Sequence, residues 1–118
     1  IFIFPPTTPV QFDPAAWHAS IDRLMAWRPE RMYLTHFGQL DEPARYLNTL
    51  HRMIDDLAAL AVDHQDSLSD LPAAVEQYIK NEMVLAGCEI DEVRFRQLLE
   101  MDLDIIVQGL EVWLTRRQ

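Results

Sequence analysis

Cysteine and basic residues are scarce in this sequence of 118 residues. A single cysteine, Cys88, excludes an internal disulfide and fits a reducing compartment, so a cytoplasmic location is expected. Ten lysine and arginine residues stand against nineteen acidic residues, which gives a net charge of −9. The chain has too few clustered cations to neutralise several phosphates, and an anionic membrane surface would repel it. Neither a nucleic-acid partner nor a membrane partner is therefore expected.

Long apolar runs are also missing, because none approaches the roughly 20 residues that a membrane-spanning helix requires. Hydrophobic residues nevertheless make up 49% of the chain, which argues against a disordered tail and allows a core. The sequence opens inside the apolar run Ile1–Phe4 rather than at a methionine. We expect that an upstream segment of the natural protein precedes this run.

The first forty residues predict a strand, a helix and a second strand. Ile1–Phe4 is short, apolar and β-prone, and the prolines that follow end it. Asp13 and Pro14 form the pattern of an N-cap with proline in the first turn, and apolar residues then recur at helical spacing as far as residue 27. Residues 31–35 alternate between two faces, as a strand does. This order predicts a βαβ unit with parallel strands and a right-handed crossover.

After residue 40 the pattern is helical. Apolar residues recur at spacings of three and four in three segments, and polar residues separate these segments. The residues predicted to cap these helices at their N-termini are Asp41, then Ser69 or Asp70, and finally Asp91. Gly87 is predicted to close the middle one of the three.

The segment Tyr33-Leu34-Thr35-His36-Phe37-Gly38 carries the most chemical information. A histidine just beyond a buried strand lies at the carboxyl edge of the sheet, where open α/β folds place their ligands. Neutral imidazole is a common zinc ligand, and Gly38 lets the backbone turn away without crowding the site. On the residues alone, a structural or solvated histidine stays open as the alternative.

This segment, with Pro5-Pro6-Thr7-Thr8-Pro9 and Phe12-Asp13 before it, resembles the C-terminal part of metallo-β-lactamase-fold hydrolases. In that family a Thr-His-Phe/Tyr-Gly segment ends the last core strand, and its histidine is the final ligand of a dinuclear metal centre. The resemblance implies an α-rich α/β fragment: residues 1–40 form a βαβ piece of the αββα sandwich, and residues 41–118 form a helical C-terminal region. It also implies that His36 is a metal ligand. The metal centre of the intact protein is expected to hold two divalent ions, both zinc.

The sequence departs from the family where most of the metal ligands should be. The His-x-His-x-Asp-His signature, a middle histidine and a bridging aspartate do not occur in it. A catalytic zinc usually has three protein ligands and a water, so one imidazole cannot hold it. We therefore expect no catalytic residue in this chain, no metal bound by it alone, and no activity of the fragment. In the intact protein, the resemblance implies a metal-bound hydroxide that attacks an ester, thioester, amide or lactone carbonyl of a small-molecule substrate.

The other reactive side chains are interpreted as structural or solvated. His18 and His51 each lie on a predicted helix, His64 lies near a helix end, and Cys88 has no histidine close to it in sequence. None of these residues is assigned to a site.

A helical interaction or dimerisation module is the alternative to an enzyme. Without the sandwich that they would normally cover, the apolar faces of the helices would be exposed. Two copies can bury such faces against each other about a two-fold axis, so a homo-oligomer is expected.

Overall fold

The structure is a computed structural model that describes residues 4–5, 12–34 and 38–117. Helices dominate the described residues, and they are joined by one short hairpin and one turn of 3-10 helix. The helices are α1 (Pro14–Met25), α2 (Pro43–Asp63), α3 (Leu71–Leu85) and α4 (Glu92–Arg117). The strands are β1 (Arg31–Leu34) and β2 (Gly38–Asp41), and the 3-10 turn is Leu68–Asp70. No helix in the described part of the chain is long and apolar enough to cross a membrane.

The predicted βαβ unit, and with it the piece of an α/β sandwich, is wrong. β1 pairs with the segment that directly follows it, in an antiparallel register that runs from Arg31 opposite Asp41 to Leu34 opposite Gly38. Residues 35–37 alone connect these strands, whereas a parallel pair needs a crossover of a dozen or more residues. The predicted partner of β1 is residues 1–4, but the structure pairs β1 with the segment that directly follows it.

The other predicted strand, residues 1–4, falls mostly outside the described residues. Residues 1–3 are among those the structure does not describe, and Phe4 is buried without strand structure. A helical bundle with one antiparallel hairpin is therefore the architecture of the part of the chain that is described.

Two of the predicted helix caps are confirmed. The Asp13 side chain accepts a hydrogen bond from the backbone N–H of Ala16 at 3.1 Å, at the start of α1. The Asp91 side chain accepts one from Arg94 N–H at 2.8 Å, at the start of α4. Each bond satisfies a backbone donor that has no partner inside its helix.

The predicted cap of α2 is wrong. Asp41 ends strand β2 and faces Arg31 across the hairpin at 3.6 Å. The residue before the helix is Glu42, in a left-handed conformation with φ of 52°, and Pro43 opens the first turn. Asp41 does not cap α2 because it is paired in the hairpin, as the last residue of β2.

Gly87 closes α3 as predicted. It has a φ of +75°, a conformation that glycine adopts without a steric penalty. Its N–H donates to the Val84 carbonyl at 3.0 Å, and the next N–H, of Cys88, donates to the Met83 carbonyl at 2.8 Å. This pair of bonds is the Schellman motif, which satisfies carbonyls that the helix end leaves without partners.

Helix α2 is the centre of the core, because it packs against α1, α3 and α4. Its buried apolar residues, at helical spacing, are Leu47, Leu50, Met53, Ile54, Leu57 and Ala61. Those of α3 are Leu71, Val75, Ile79 and Met83, and the large ones of α4 are Phe95, Leu103, Ile106, Leu110 and Leu114. The segment before α1 joins this core, since the ring of Phe12 meets the ring of Trp113 edge-on at 5.8 Å.

A polar clamp ties α2 to α3 beside the core. Arg52 of α2 donates from both terminal nitrogens to Glu82 of α3, at 2.5 and 2.8 Å. Tyr78 of α3 donates its hydroxyl to Asp56 of α2 at 2.7 Å. The hydrogen bonds from Arg52 lower the pKa of the Glu82 carboxyl although burial opposes this shift. Burial raises the pKa of the Tyr78 hydroxyl, and the hydrogen bond to Asp56 raises it further. At neutral pH the clamp therefore contains an ionised Glu82 carboxylate and a protonated Tyr78 hydroxyl.

A matched pair of substitutions on α4 tests the assignment of the core. Leu110 is fully buried, whereas 53% of Leu98 is exposed. Leu110→Ala should lower the free energy of unfolding by about 2–5 kcal/mol, because it removes packed apolar volume. Leu98→Ala should lower it by no more than about 0.5 kcal/mol. Both changes replace leucine by alanine on the same helix, so they differ mainly in the burial of the side chain. Urea unfolding followed by circular dichroism measures the free energy of unfolding of each variant. Equal losses of this free energy would contradict the assignment of Leu110 to the core.

Candidate functional site

The predicted metal ligand, His36, lies outside the described residues. Strand β1 ends at Leu34 and strand β2 begins at Gly38, so His36 belongs to the connection between them. Within the described ranges, no three or more histidine, cysteine, aspartate or glutamate side chains come together as a group that could hold a metal ion.

Two histidines that the sequence reasoning assigned to no site meet between α1 and α2. The Nδ1 atom of His18 lies 2.5 Å from the Nδ1 atom of His51. The ring centres are 4.8 Å apart, and the ring planes are within 18° of parallel. The distance between the ring centres is longer than the Nδ1–Nδ1 distance by about twice the radius of an imidazole ring. The two rings therefore lie side by side in nearly one plane, with their Nδ1 atoms facing each other.

An aspartate binds the far side of each ring. His18 Nε2 lies 2.6 Å from Asp55 Oδ1, and His51 Nε2 lies 3.1 Å from Asp22 Oδ1. The pairing is crossed, because the histidine of α1 contacts the aspartate of α2, and the histidine of α2 contacts the aspartate of α1. These four side chains form a continuous array from Asp22 through His51 and His18 to Asp55, which we name the histidine–aspartate cluster.

The spacing of the four residues explains why the cluster can form. His18 and Asp22 are four residues apart on α1, and His51 and Asp55 are four apart on α2. Side chains at this spacing lie on one face of a helix, one turn apart. When the two faces oppose each other, each histidine comes within reach of the aspartate on the other helix. The repeated His-x-x-x-Asp pattern is thus a signal that the sequence carries, although it does not say that α1 packs on α2.

The cluster lies at the rim of the core. About a quarter of each histidine side chain is exposed to solvent. The aspartate side chains are more exposed, Asp55 to 71% and Asp22 to 75%. Water screens contacts of this kind, so each histidine–aspartate contact stabilises the fold by no more than about 1 kcal/mol. The imidazoles are thus reachable by protons and solutes, while the carboxylates fix which ring nitrogen faces inward.

A cleft lies where α3 turns into α4. This cleft of about 270 Å³ is lined in part by Cys88, Lys80, Glu92 and Phe95. Lys80 donates to Glu92 at 2.8 Å and lies 4.9 Å from the centre of the Phe95 ring. The charged groups of the cleft, Lys80 and Glu92, therefore form an ion pair across the α3–α4 turn. This ion pair holds the two helices together.

No protein-family model matches this chain, and no curated protein or solved structure matches it either. The argument for its function therefore starts from its own residues. Two features bear on it: the segment around His36 and the histidine–aspartate cluster.

Double-mutant cycles test the crossed pairing. Alanine substitutions of His18 and Asp55 should be coupled by about 0.2–1 kcal/mol in the free energy of unfolding, the range of exposed ion pairs. His51 and Asp22 should be coupled to a similar extent. The within-helix pairs, His18 with Asp22 and His51 with Asp55, are the control and should show weaker coupling. Stronger coupling within each helix would mean that each histidine binds its own helical neighbour and that the cluster does not form.

Proposed function

We propose that this chain is the C-terminal part of a metal-dependent hydrolase of the metallo-β-lactamase superfamily, in which His36 is one metal ligand. The observation that carries the proposal is the segment Thr35-His36-Phe37-Gly38 and its place in the sequence. A proline-rich stretch, a helix and a strand precede it in the order that the family uses. The proposal rests on this order of motifs and not on a parallel sheet, since β1 pairs with β2.

The number of ligands that a zinc centre needs determines how many must come from outside this chain. A catalytic zinc centre usually has three protein ligands and a water, and such a metal lowers the pKa of its bound water to about 7. This chain offers one imidazole, His36, to that centre. The remaining ligands must come from sequence outside this chain, which is expected to be inactive alone. The substrates that suit this chemistry are small molecules with an ester, thioester, amide or lactone carbonyl.

The central test is His36→Ala in the protein that carries this chain together with its upstream sequence. Removal of a ligand should lower the metal content, measured by plasma mass spectrometry. It should also lower the hydrolysis of chromogenic esters, thioesters and lactones by at least about 10–100-fold, the loss seen when mere supporting residues are removed.

His64→Ala is the matched control, because the Nδ1 atom of His64 lies 2.9 Å from the carbonyl oxygen of Leu60 in its own helix. This variant should keep the metal content and the rate of the unchanged protein. If His36→Ala keeps both as well, His36 is not a ligand and the proposal fails.

A helical interaction module is the second candidate, and one observation favours it. Several large apolar side chains on α3 and α4 are more than half exposed: Val84, Leu85, Val93, Leu98 and Met101. Large exposed apolar side chains on neighbouring helices favour a partner that covers them, here a second copy of the chain. A dimer in sedimentation at micromolar concentration would favour this candidate, and a 13.8 kDa monomer would remove it. A His-x-His-x-Asp-His run in the upstream sequence would favour the hydrolase instead.

A further inference from the structure

We propose that α4 pairs with α4 of a second copy of the chain, in antiparallel orientation, through the outer face that carries Leu98, Met101 and Ile105. With 26 residues, α4 is the longest helix that the structure describes. The proposal rests on the interaction module, the second candidate above, and does not depend on the hydrolase. It goes beyond that candidate because it assigns one face, one orientation and one pair of charges to the contact.

Helix α4 carries apolar residues on two opposite faces. The buried and partly buried residues that pack into the core are Phe95, Leu99, Leu103, Ile106, Leu110 and Leu114. The second set is Leu98, Met101, Ile105 and Val112, which recur at spacings of three, four and seven. At 3.6 residues per turn this set faces away from the core. Leu98 is 53% exposed and Met101 is 76% exposed. An apolar stripe at such spacing on the outside of a packed helix is the pattern by which two helices pair.

The charged residues beside this stripe favour a second copy as the partner. Arg94 continues the stripe one turn before Leu98, and Asp104 adjoins Ile105; both charged residues are exposed. In an antiparallel pair with Leu98 of one copy opposite Met101 of the other, Arg94 lies opposite Ile105 of the other copy. It is then next to Asp104 of that copy. Two-fold symmetry makes the same contact a second time, so one register satisfies both the apolar and the charged residues.

Other arrangements of these charges are less favourable. A parallel pair in register would set Arg94 against Arg94 and Asp104 against Asp104, and like charges in contact oppose association. Within one helix these two residues do not meet, because ten residues separate them by about 15 Å along the axis. The neighbouring Arg96 is held inside the chain by Glu76 and Glu92. The complementary partner for this face is therefore a second α4 that runs in the opposite direction.

The contact is small, so the dimer should be weak. From Arg94 to Ile105 the shared seam is about 17 Å long, which belongs to the size class of weak and transient complexes. We expect a dissociation constant of about 10–100 μM. The charge of −9 on each copy opposes association, and salt screens this repulsion. At about 2 μM the chain is then mostly monomeric, so unfolding measured at that concentration reports the single chain.

A matched pair of leucines tests the face. Sedimentation equilibrium of the chain at about 0.15 M salt, from about 5 to 300 μM, measures the dissociation constant. Leu98→Gln should weaken the dimer at least about 10-fold, because it sets two polar amides into the centre of the seam. Leu24→Gln is the control, since Leu24 on α1 is 51% exposed, and it should change the constant by less than about 2-fold.

The outcomes separate this proposal from the interaction module on which it rests. A monomer at every concentration would overturn both. A dimer that Leu98→Gln leaves unchanged, or that Leu24→Gln weakens equally, would overturn the proposed face and leave the interaction module in place.

Charge exchange tests the orientation. Arg94→Glu alone, or Asp104→Arg alone, sets like charges against each other twice and should weaken the dimer about 10-fold. An equimolar mixture of the two single variants restores both opposite-charge contacts, so it should associate within about 3-fold of the unchanged chain. In a parallel dimer neither single change would weaken association, because like charges already oppose each other there. Single variants that dimerise as the unchanged chain does, or a mixture as weak as its components, would overturn the antiparallel pairing.

Discussion

Burial of the apolar stripe of α2 is the constraint on which the rest of the structure depends. Met53, Ile54 and Leu57 have no exposed surface, and α2 is the helix that α1, α3 and α4 all contact. Complete burial of one such side chain stabilises the fold by about 1.5–3 kcal/mol, whereas an exposed ion pair contributes about 0–1 kcal/mol. Apolar burial therefore gathers the helices around α2, and polar contacts at the edges of the stripe set which faces meet.

The two polar edges of α2 differ in how firmly they hold. At one edge Arg52 binds Glu82, whose side chain is only 9% exposed, so loss of this partner would leave a buried carboxylate without compensation. At the other edge His51 meets His18, and the aspartates that orient the two rings are mostly exposed. The contact of α2 with α3 thus includes a buried carboxylate that needs its partner, whereas the polar contacts of α1 with α2 lie at the solvent-exposed rim of the core.

The sequence predicted the features that depend on neighbouring residues. The caps at Asp13 and Asp91, the end of α3 at Gly87 and the apolar stripes of α2, α3 and α4 are each set within a few residues, and the structure confirms them. The features that failed depend on partners. β1 alternates as any strand does, but alternation does not say that its partner is β2, and the same pairing takes Asp41 away from the cap of α2. The histidine–aspartate cluster was missed for a related reason, since its repeated spacing acquires a meaning only when α1 is known to face α2. The assignment of His36 to a metal stays a prediction of the sequence.

The most direct test of this account is native-state hydrogen exchange, followed by NMR for single amides. If α2 organises the fold, the amides of Ile54 and Leu57 will exchange only through global unfolding, and they will be the best protected in the chain. The amides of α1, around Ile21, will exchange through a partial opening of lower free energy that leaves α2 and α3 protected. Equal protection of α1 and α2, or faster exchange in α2 than in α1, would contradict the account.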